Sequence, residues 1–100
     1  WIAFAVGASG TVVVDDGARA AVTERGRSLL PAGVVDVRGR FEAGDAVEIA
    51  TRDGQVFAKG LSRHSSSVVA EWSGRKTSDL PGDADHEIVH RDDLVVLVGI

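Results

Sequence analysis

The sequence contains no cysteine and no methionine, and only two of its 100 residues are proline. Without cysteine the chain can form neither a disulfide framework nor a thiolate metal site, which agrees with a cytosolic protein. Apolar runs such as residues 94–98 are far shorter than the roughly 20 residues of a membrane-spanning helix, and no signal peptide is evident. These absences exclude a disulfide-rich secreted domain and predict no association with a membrane.

Acidic residues are in modest excess, at 15 against 11 basic residues, for a net charge of −4. This sign argues against strong nonspecific binding to nucleic acids, because phosphate contacts need basic side chains. One hundred residues suffice for one domain with its own core. Because the sequence starts at Trp1 and contains no methionine, we expect a domain of a longer protein. Residues 1–9 are interpreted as a linker remnant and residues 10–100 as the domain.

Hydrophobic periodicity predicts a mainly β fold with two short helices. β-branched residues 11–14 indicate a first strand, and alternating apolar and polar residues at 35–38 and 47–49 indicate further, half-buried strands. Asp15 or Asp16 can cap the helix that follows the first strand, and Gly26 can end it. Many short strands with few helical residues favour a barrel over a doubly wound sheet.

Three turns and caps are also predicted. Asp53-Gly54 indicates a two-residue hairpin turn. The hydroxyl groups of residues 65–67 are expected to cap a second helix, whose apolar face includes Val69 and Trp72. Asp92-Asp93 is expected to form a turn between the last two strands, residues 87–91 and 94–98.

His86-Glu87-Ile88-Val89-His90 matches the H-E-x-x-H pattern of zinc proteases, which functions only on a helix. The β-branched flanks indicate a strand instead, where the two histidines would lie ~13 Å apart. We therefore expect no metal site. His64 beside three serines is interpreted in terms of helix capping, not nucleophilic catalysis. No phosphate-binding glycine loop occurs, so we expect no catalytic and no cofactor-binding residue in this chain.

Five blocks of the sequence resemble the PUA domain, a small pseudo-barrel found in RNA-modifying enzymes and at the C-terminus of glutamate 5-kinases. They are residues 26–35 (GRSLLPAGVV), 39–47 (GRFEAGDAV), 14–18 (VDDGA), 58–61 (AKGL) and 88–95 (IVHRDDLV). The last three blocks resemble the kinase-associated version most. The pattern departs from the family after Gly74, where residues 80–85 form a short loop in place of a longer helical stretch.

The resemblance implies that the whole protein is an actinobacterial-like glutamate 5-kinase. Such an enzyme uses ATP and Mg²⁺ to phosphorylate L-glutamate in the first, cytoplasmic step of proline biosynthesis. ATP and Mg²⁺ would bind in a kinase domain that precedes Trp1. The 100 residues themselves would be a non-catalytic module that docks on this kinase domain, regulates it, or supports homo-oligomers.

Two other classes of function stay open, namely an RNA-binding module and a structural oligomerisation barrel. RNA-binding PUA domains imply a surface made here by Arg19, Arg27, Ser28 and Arg91, but the acidic residues around them predict weak binding. Trp72 could stack a base, although its place on an apolar helix face favours the core. Leu29 and Leu30 precede a Pro-Gly turn, and at least one of them is expected to be buried beneath the first helix.

Overall fold

The computed structural model of the chain describes residues 9–76, 80 and 86–97. In this part of the chain five strands form one sheet, accompanied by two α-helices and a 3₁₀ turn at Pro31–Gly33. The strands are β1 (Gly10–Val14), β2 (Val34–Gly39), β3 (Ala46–Ala50), β4 (Val56–Ser62) and β5 (Val89–Val96); the helices are α1 (Asp16–Arg25) and α2 (Ser66–Trp72). The predicted fold class, mainly β with two short helices, is confirmed.

The sheet has the order β2-β1-β3-β4-β5 and is antiparallel except for one pair. β1 and β3 run parallel, with Gly10 opposite Val47 and Val13 opposite Ala50. Parallel neighbours need a crossover connection, and here α1 and β2 provide it. This connection brings the segment after α1 next to β5, which is the edge strand opposite β2. There Leu29 forms an isolated antiparallel bridge with Val89.

Small aliphatic side chains fill most of the core, as expected for a chain with few aromatic residues. Leu29 is 1% exposed, whereas its neighbour Leu30 is 46% exposed. The prediction that at least one of the two leucines is buried is confirmed. The buried apolar cluster comprises Val12, Val14, Val22, Leu29, Val34, Phe41, Val47, Ile49, Phe57, Ala58, Val69, Ile88 and Val89.

Helix α1 begins and ends where the sequence predicts. Asp15 Oδ1 accepts a hydrogen bond of 2.8 Å from the Ala18 amide, which satisfies one of the free donors of the first turn. At the other end Gly26 has a φ of 62°, a left-handed conformation that glycine adopts at low cost. The Gly26 amide donates to Ala21 O and closes the helix.

The alternation predicted at residues 35–38 is interrupted by a bulge. β1 pairs Val13 with Asp36 but Val14 with Val34, so Val35 has no partner on β1. The bulge leaves Val35 39% exposed while Val34 is buried. The prediction of a regular half-buried strand is therefore wrong at Val35, because an extra residue shifts which side chains face the core.

The predicted two-residue turn at Asp53-Gly54 is also wrong. The last β3–β4 pair is Ala50 with Val56, and the Thr51 amide donates to Gln55 O at 3.0 Å. The Gly54 amide donates to Thr51 O at 2.9 Å, and Gly54 itself has a φ of 89°. The loop thus has three residues, 52–54, in which a tight turn is followed by a left-handed glycine that restores the hairpin register.

Ser65 occupies the N-cap of α2, but its hydroxyl does not cap the helix, contrary to the prediction. The Ser65 and Ser67 hydroxyl groups lie 3.1 Å apart and bond to each other. The backbone of Phe41 contacts the start of the helix instead. The Ser66 amide donates a hydrogen bond of 2.9 Å to Phe41 O. Ser66 Oγ in turn accepts from the Phe41 amide at 3.3 Å. Ser66 therefore ties α2 to the β2–β3 connection.

Residues 92–93 do not separate two strands, and this prediction is corrected. β5 runs without a break from Val89 to Val96, yet its pairing slips from Ser62–Val89 to Gly60–Leu94. Four residues of β5, 90–93, consequently lie opposite Leu61 alone and form a bulge at the edge of the sheet. The bulge is held from outside, because the Arg91 amide donates to Ser28 Oγ at 2.9 Å.

Two predicted segments lie largely outside the described part of the chain. They are the linker at residues 1–9, of which only Ser9 is described, and the short loop at residues 80–85, of which only Leu80 is described. In the segments that the structure does describe, neither helix has the length and apolar character that crossing a membrane requires.

Candidate functional site

A groove lies between α1 and the beginning of β5, with the connection after α1 along one side. We call it the α1–β5 groove; its volume is about 910 Å³. It is lined by Asp15, Ala18, Ala21, Arg25, residues 27–30, Ala32, Gly33, Glu87, His90 and Arg91. Three of the four residues proposed from the family resemblance line this groove, namely Arg27, Ser28 and Arg91.

Helix α1 turns one face to this groove and another to the core. Ala18, Ala21 and Arg25 follow the helical spacing of three and four residues and line the groove, whereas Val22 is 2% exposed in the core. Small side chains on the groove face leave space between the helix and β5. Arg25 occupies the last turn of α1, where a cation also interacts favourably with the helix dipole.

Backbone pairing brings Arg27 and Ser28 to Arg91, which is 63 residues further along the chain than Ser28. The Leu29 amide donates to Val89 O at 2.9 Å, and the Ile88 amide donates to Leu29 O at 2.8 Å. This short antiparallel contact fixes the segment after Gly26 against the edge of β5. Arg27, Ser28 and Arg91 therefore share one surface.

Arg19 does not belong to this surface. Its guanidinium carbon lies 5.9 Å from the centroid of the Phe57 ring, a cation–π contact on the β3–β4 side of α1. There it lines a second, smaller cavity of about 340 Å³ with Asp16 and the β3–β4 hairpin. In that hairpin, hydrogen bonds from the Thr51 hydroxyl and the Gln55 amide lower the pKa of the exposed Asp53 carboxyl.

Sequence reasoning missed Arg25, Leu30 and His90 as groove residues. Arg25 could have been found, since it lies seven residues after Ala18 and thus on the same helix face. Nothing in the sequence alone places His90 here, because its position depends on the bulge of β5. The His90 ring lies between two acids, with Nε2 3.9 Å from Glu87 Oε1 and Nδ1 3.6 Å from Asp92 Oδ2.

Trp72 packs against the core, as its place on an apolar helix face predicted. Its ring makes edge-on contacts with two histidine rings, at centroid distances of 4.5 Å for His64 and 5.1 Å for His86. These contacts connect α2 to the segment that precedes β5. Together with its packing against the core, these contacts make Trp72 a packing residue.

The H-E-x-x-H segment is not helical. His86 lies before β5 in contact with Trp72, whereas His90 is inside β5 and lines the α1–β5 groove. The two imidazole side chains therefore lie in different parts of the structure. Among the described residues, no three His, Cys, Asp or Glu side chains are arranged to hold a metal ion.

Comparison with known families places the fold. The PUA domain family matches residues 10–81. The chain therefore belongs to the PUA domain family. A solved structure agrees with this assignment, namely a PUA domain from Aeropyrum pernix K1 determined as a tartrate complex. It is 30% identical to this chain with a TM-score of 0.61, and the match covers 85% of this chain and 45% of that chain. The archaeal box H/ACA sRNP complex gives 24% identity and a TM-score of 0.58 over 91% of this chain and 28% of its own, which shows the fold alone.

Among individual proteins, the chain is similar to glutamate 5-kinases. The enzyme from Syntrophotalea carbinolica is 44% identical over 103 residues, covering 96% of this chain. The enzyme from Mycolicibacterium gilvum is also 44% identical, over 97 residues and 97% of this chain. The chain spans 27% and 26% of the length of these two relatives, so it corresponds to about a quarter of such an enzyme.

Proposed function

We propose that this chain is the C-terminal PUA module of a glutamate 5-kinase. The observation that carries the proposal is 44% identity over 96% of the chain to an enzyme of that name. The whole protein would transfer the γ-phosphoryl group of ATP to the side-chain carboxylate of L-glutamate, yielding γ-glutamyl phosphate and ADP. This activity belongs to proline biosynthesis in the cytoplasm.

The sites for ATP and Mg²⁺ are proposed to lie in the kinase part of that protein. The described residues do not fit them, since they offer neither a phosphate-binding glycine loop nor a cluster of three acidic side chains. The role assigned to this chain is to dock on the kinase domain, to regulate it, or to support homo-oligomers. A binding groove with exposed arginines suits such a role better than catalysis does.

Isolated from the rest of the protein, the 100-residue chain should not form γ-glutamyl phosphate from ATP, Mg²⁺ and glutamate. The acyl phosphate can be trapped with hydroxylamine and measured as the hydroxamate. The longer protein that contains this chain should give the product under the same conditions. Turnover by the short chain above a no-protein control would contradict its non-catalytic role, and an inactive longer protein would contradict the proposed parent enzyme.

RNA binding is a second candidate function, favoured by the presence of Arg25, Arg27, Ser28 and Arg91 around one groove. The same groove contains Asp15 and Glu87, and the chain carries a net charge of −4. We therefore expect the affinity for a structured RNA to be weaker than ~10⁻⁵ M at physiological salt, within the nonspecific range. A submicromolar, saturable isotherm that weakens in Arg27→Ala would favour the RNA-binding function over the one proposed.

A further inference from the structure

We propose that the α1–β5 groove binds a small polyanion, a metabolite-sized molecule that carries two or more carboxylate or phosphate groups. This site goes beyond the proposed role in a glutamate 5-kinase and does not depend on it. Three features of the groove carry the inference: arginines that form no ion pair with other described residues, apolar side chains in the lining, and acidic residues that limit the size of the ligand.

Arg25, Arg27 and Arg91 all line the groove, and none of them forms an ion pair within the described part of the chain. This arrangement is unexpected in a chain where acids outnumber bases by 15 to 11. Elsewhere in the chain, Arg38 Nε lies 3.3 Å from Asp36 Oδ2. Arginine binds carboxylate and phosphate through paired, charge-assisted hydrogen bonds, so three such groups around one concavity favour a ligand with several anionic groups.

Two of these arginines are anchored through their own backbones. The Arg27 amide donates to Ala21 O at 3.0 Å, and the Arg91 amide donates to Ser28 Oγ at 2.9 Å. Their Cα positions are therefore held by the end of α1 and by the edge of β5. Because the backbone is already anchored, binding an anion does not also require the chain segment to become ordered.

Apolar side chains also line the groove. Ala18 and Ala21 contribute methyl groups, and Leu30 is a large apolar side chain that is 46% exposed. An exposed leucine beside these arginines suits a ligand with a short carbon skeleton between its charged groups. Covering Leu30 would remove apolar surface from water and add to the binding free energy.

Acidic residues at the groove restrict the ligand to a small size. Asp15 and Glu87 line the groove, and Glu24 and Asp92 are exposed on the elements that border it. An extended phosphate backbone would have to cross these carboxylates, which disfavour it by like-charge repulsion. A compact polyanion that stays within the groove avoids the exposed carboxylates of Glu24 and Asp92.

Nuclear magnetic resonance titration of the ¹⁵N-labelled chain tests this proposal. The probes are citrate and pyrophosphate, which distinguish a carboxylate ligand from a phosphate ligand, and a mixed-sequence oligoribonucleotide, all at constant ionic strength. We expect at least one small anion to shift the amide signals of Arg27, Ser28 and Arg91 saturably, with a dissociation constant of about 1 mM or tighter. Arg27→Gln and Arg91→Gln should each weaken that binding at least about tenfold.

Arg40→Gln provides the matched control, because it removes the same charge from an exposed arginine outside the groove. The dissociation constant of Arg40→Gln for the anion should stay within about twofold of that of the unchanged chain, because salt screens the interaction between distant charges. The proposal is overturned if neither small anion saturates, or if all three variants bind equally well. It is also overturned if the oligoribonucleotide binds at least about tenfold more tightly than both small anions and loses affinity in the groove variants.

Discussion

Leu29→Ala should destabilise the chain by about 2–5 kcal/mol, the usual cost of removing a buried leucine side chain from a well-packed core. Leu29 is 1% exposed, and its backbone pairs with Val89 between the end of α1 and the edge of β5. Neighbouring backbone bonds hold the site open, so the cavity cannot collapse easily. A domain of this size has only ~5–15 kcal/mol of total stability, and the melting temperature should fall by at least about 8 °C.

Leu30→Ala is the control for this prediction because it makes the same chemical change one residue away. Leu30 is 46% exposed, so its truncation should change the free energy of unfolding by less than about 0.5 kcal/mol. Urea unfolding of both variants, followed by tryptophan fluorescence or circular dichroism, measures the difference. Equal shifts of the two midpoints would show that the buried and exposed positions are assigned wrongly.

Gly33→Ala should destabilise the chain by about 1–3 kcal/mol through overpacking. A Cβ atom at Gly33 would overlap the Cβ atom of Ala18 on α1. Neither element can move away easily, because the Asp15 amide donates to Gly33 O at 2.9 Å and ties the 3₁₀ turn to the start of the helix. The cost is steric, since the backbone of Gly33 is not in the left-handed region.

Ala18→Gly should rescue the Gly33→Ala variant. In the double variant the next atom that the new methyl group meets is the Ala18 Cα at 3.5 Å, an ordinary contact distance. Ala18→Gly by itself should cost about 0.5–1 kcal/mol from helix backbone entropy. A double-mutant cycle measured by thermal unfolding should therefore show the double variant to be more stable than the sum of the two single changes predicts. Additive losses would contradict the close approach of Gly33 and Ala18.

One segment, residues 27–33, contributes both to the core and to the α1–β5 groove. Residues 27–33 pack Leu29 inward, place Leu30 outward, and bring Arg27 toward Arg91. Because Leu29→Ala destabilises this segment, we expect it to weaken polyanion binding indirectly. The arginine variants differ, because they alter exposed side chains and should leave the midpoint of unfolding nearly unchanged.

Local signals in the sequence determined the class of fold and the positions of several elements. Asp15 caps α1 and Gly26 ends it as predicted, because both devices act within one turn of chain. The blocks around residues 26–35 and 39–47 identified the family, and the place of Leu29 and Leu30 before a Pro-Gly turn predicted that at least one of them is buried. Such features depend on neighbours a few residues away, so the sequence contains the information directly.

Only the tertiary structure decided how the sheet is registered and which residues form the groove. The bulges at Val35 and at residues 90–93, and the use of the Phe41 backbone to hold α2, depend on partners that are distant in sequence. Arg19 and Arg25 are both exposed arginines of α1, but only Arg25 lies on the face toward β5. The direction of each side chain is set by the packing of α1 against the sheet. That packing is a sum of long-range contacts, which periodicity within a single segment does not specify.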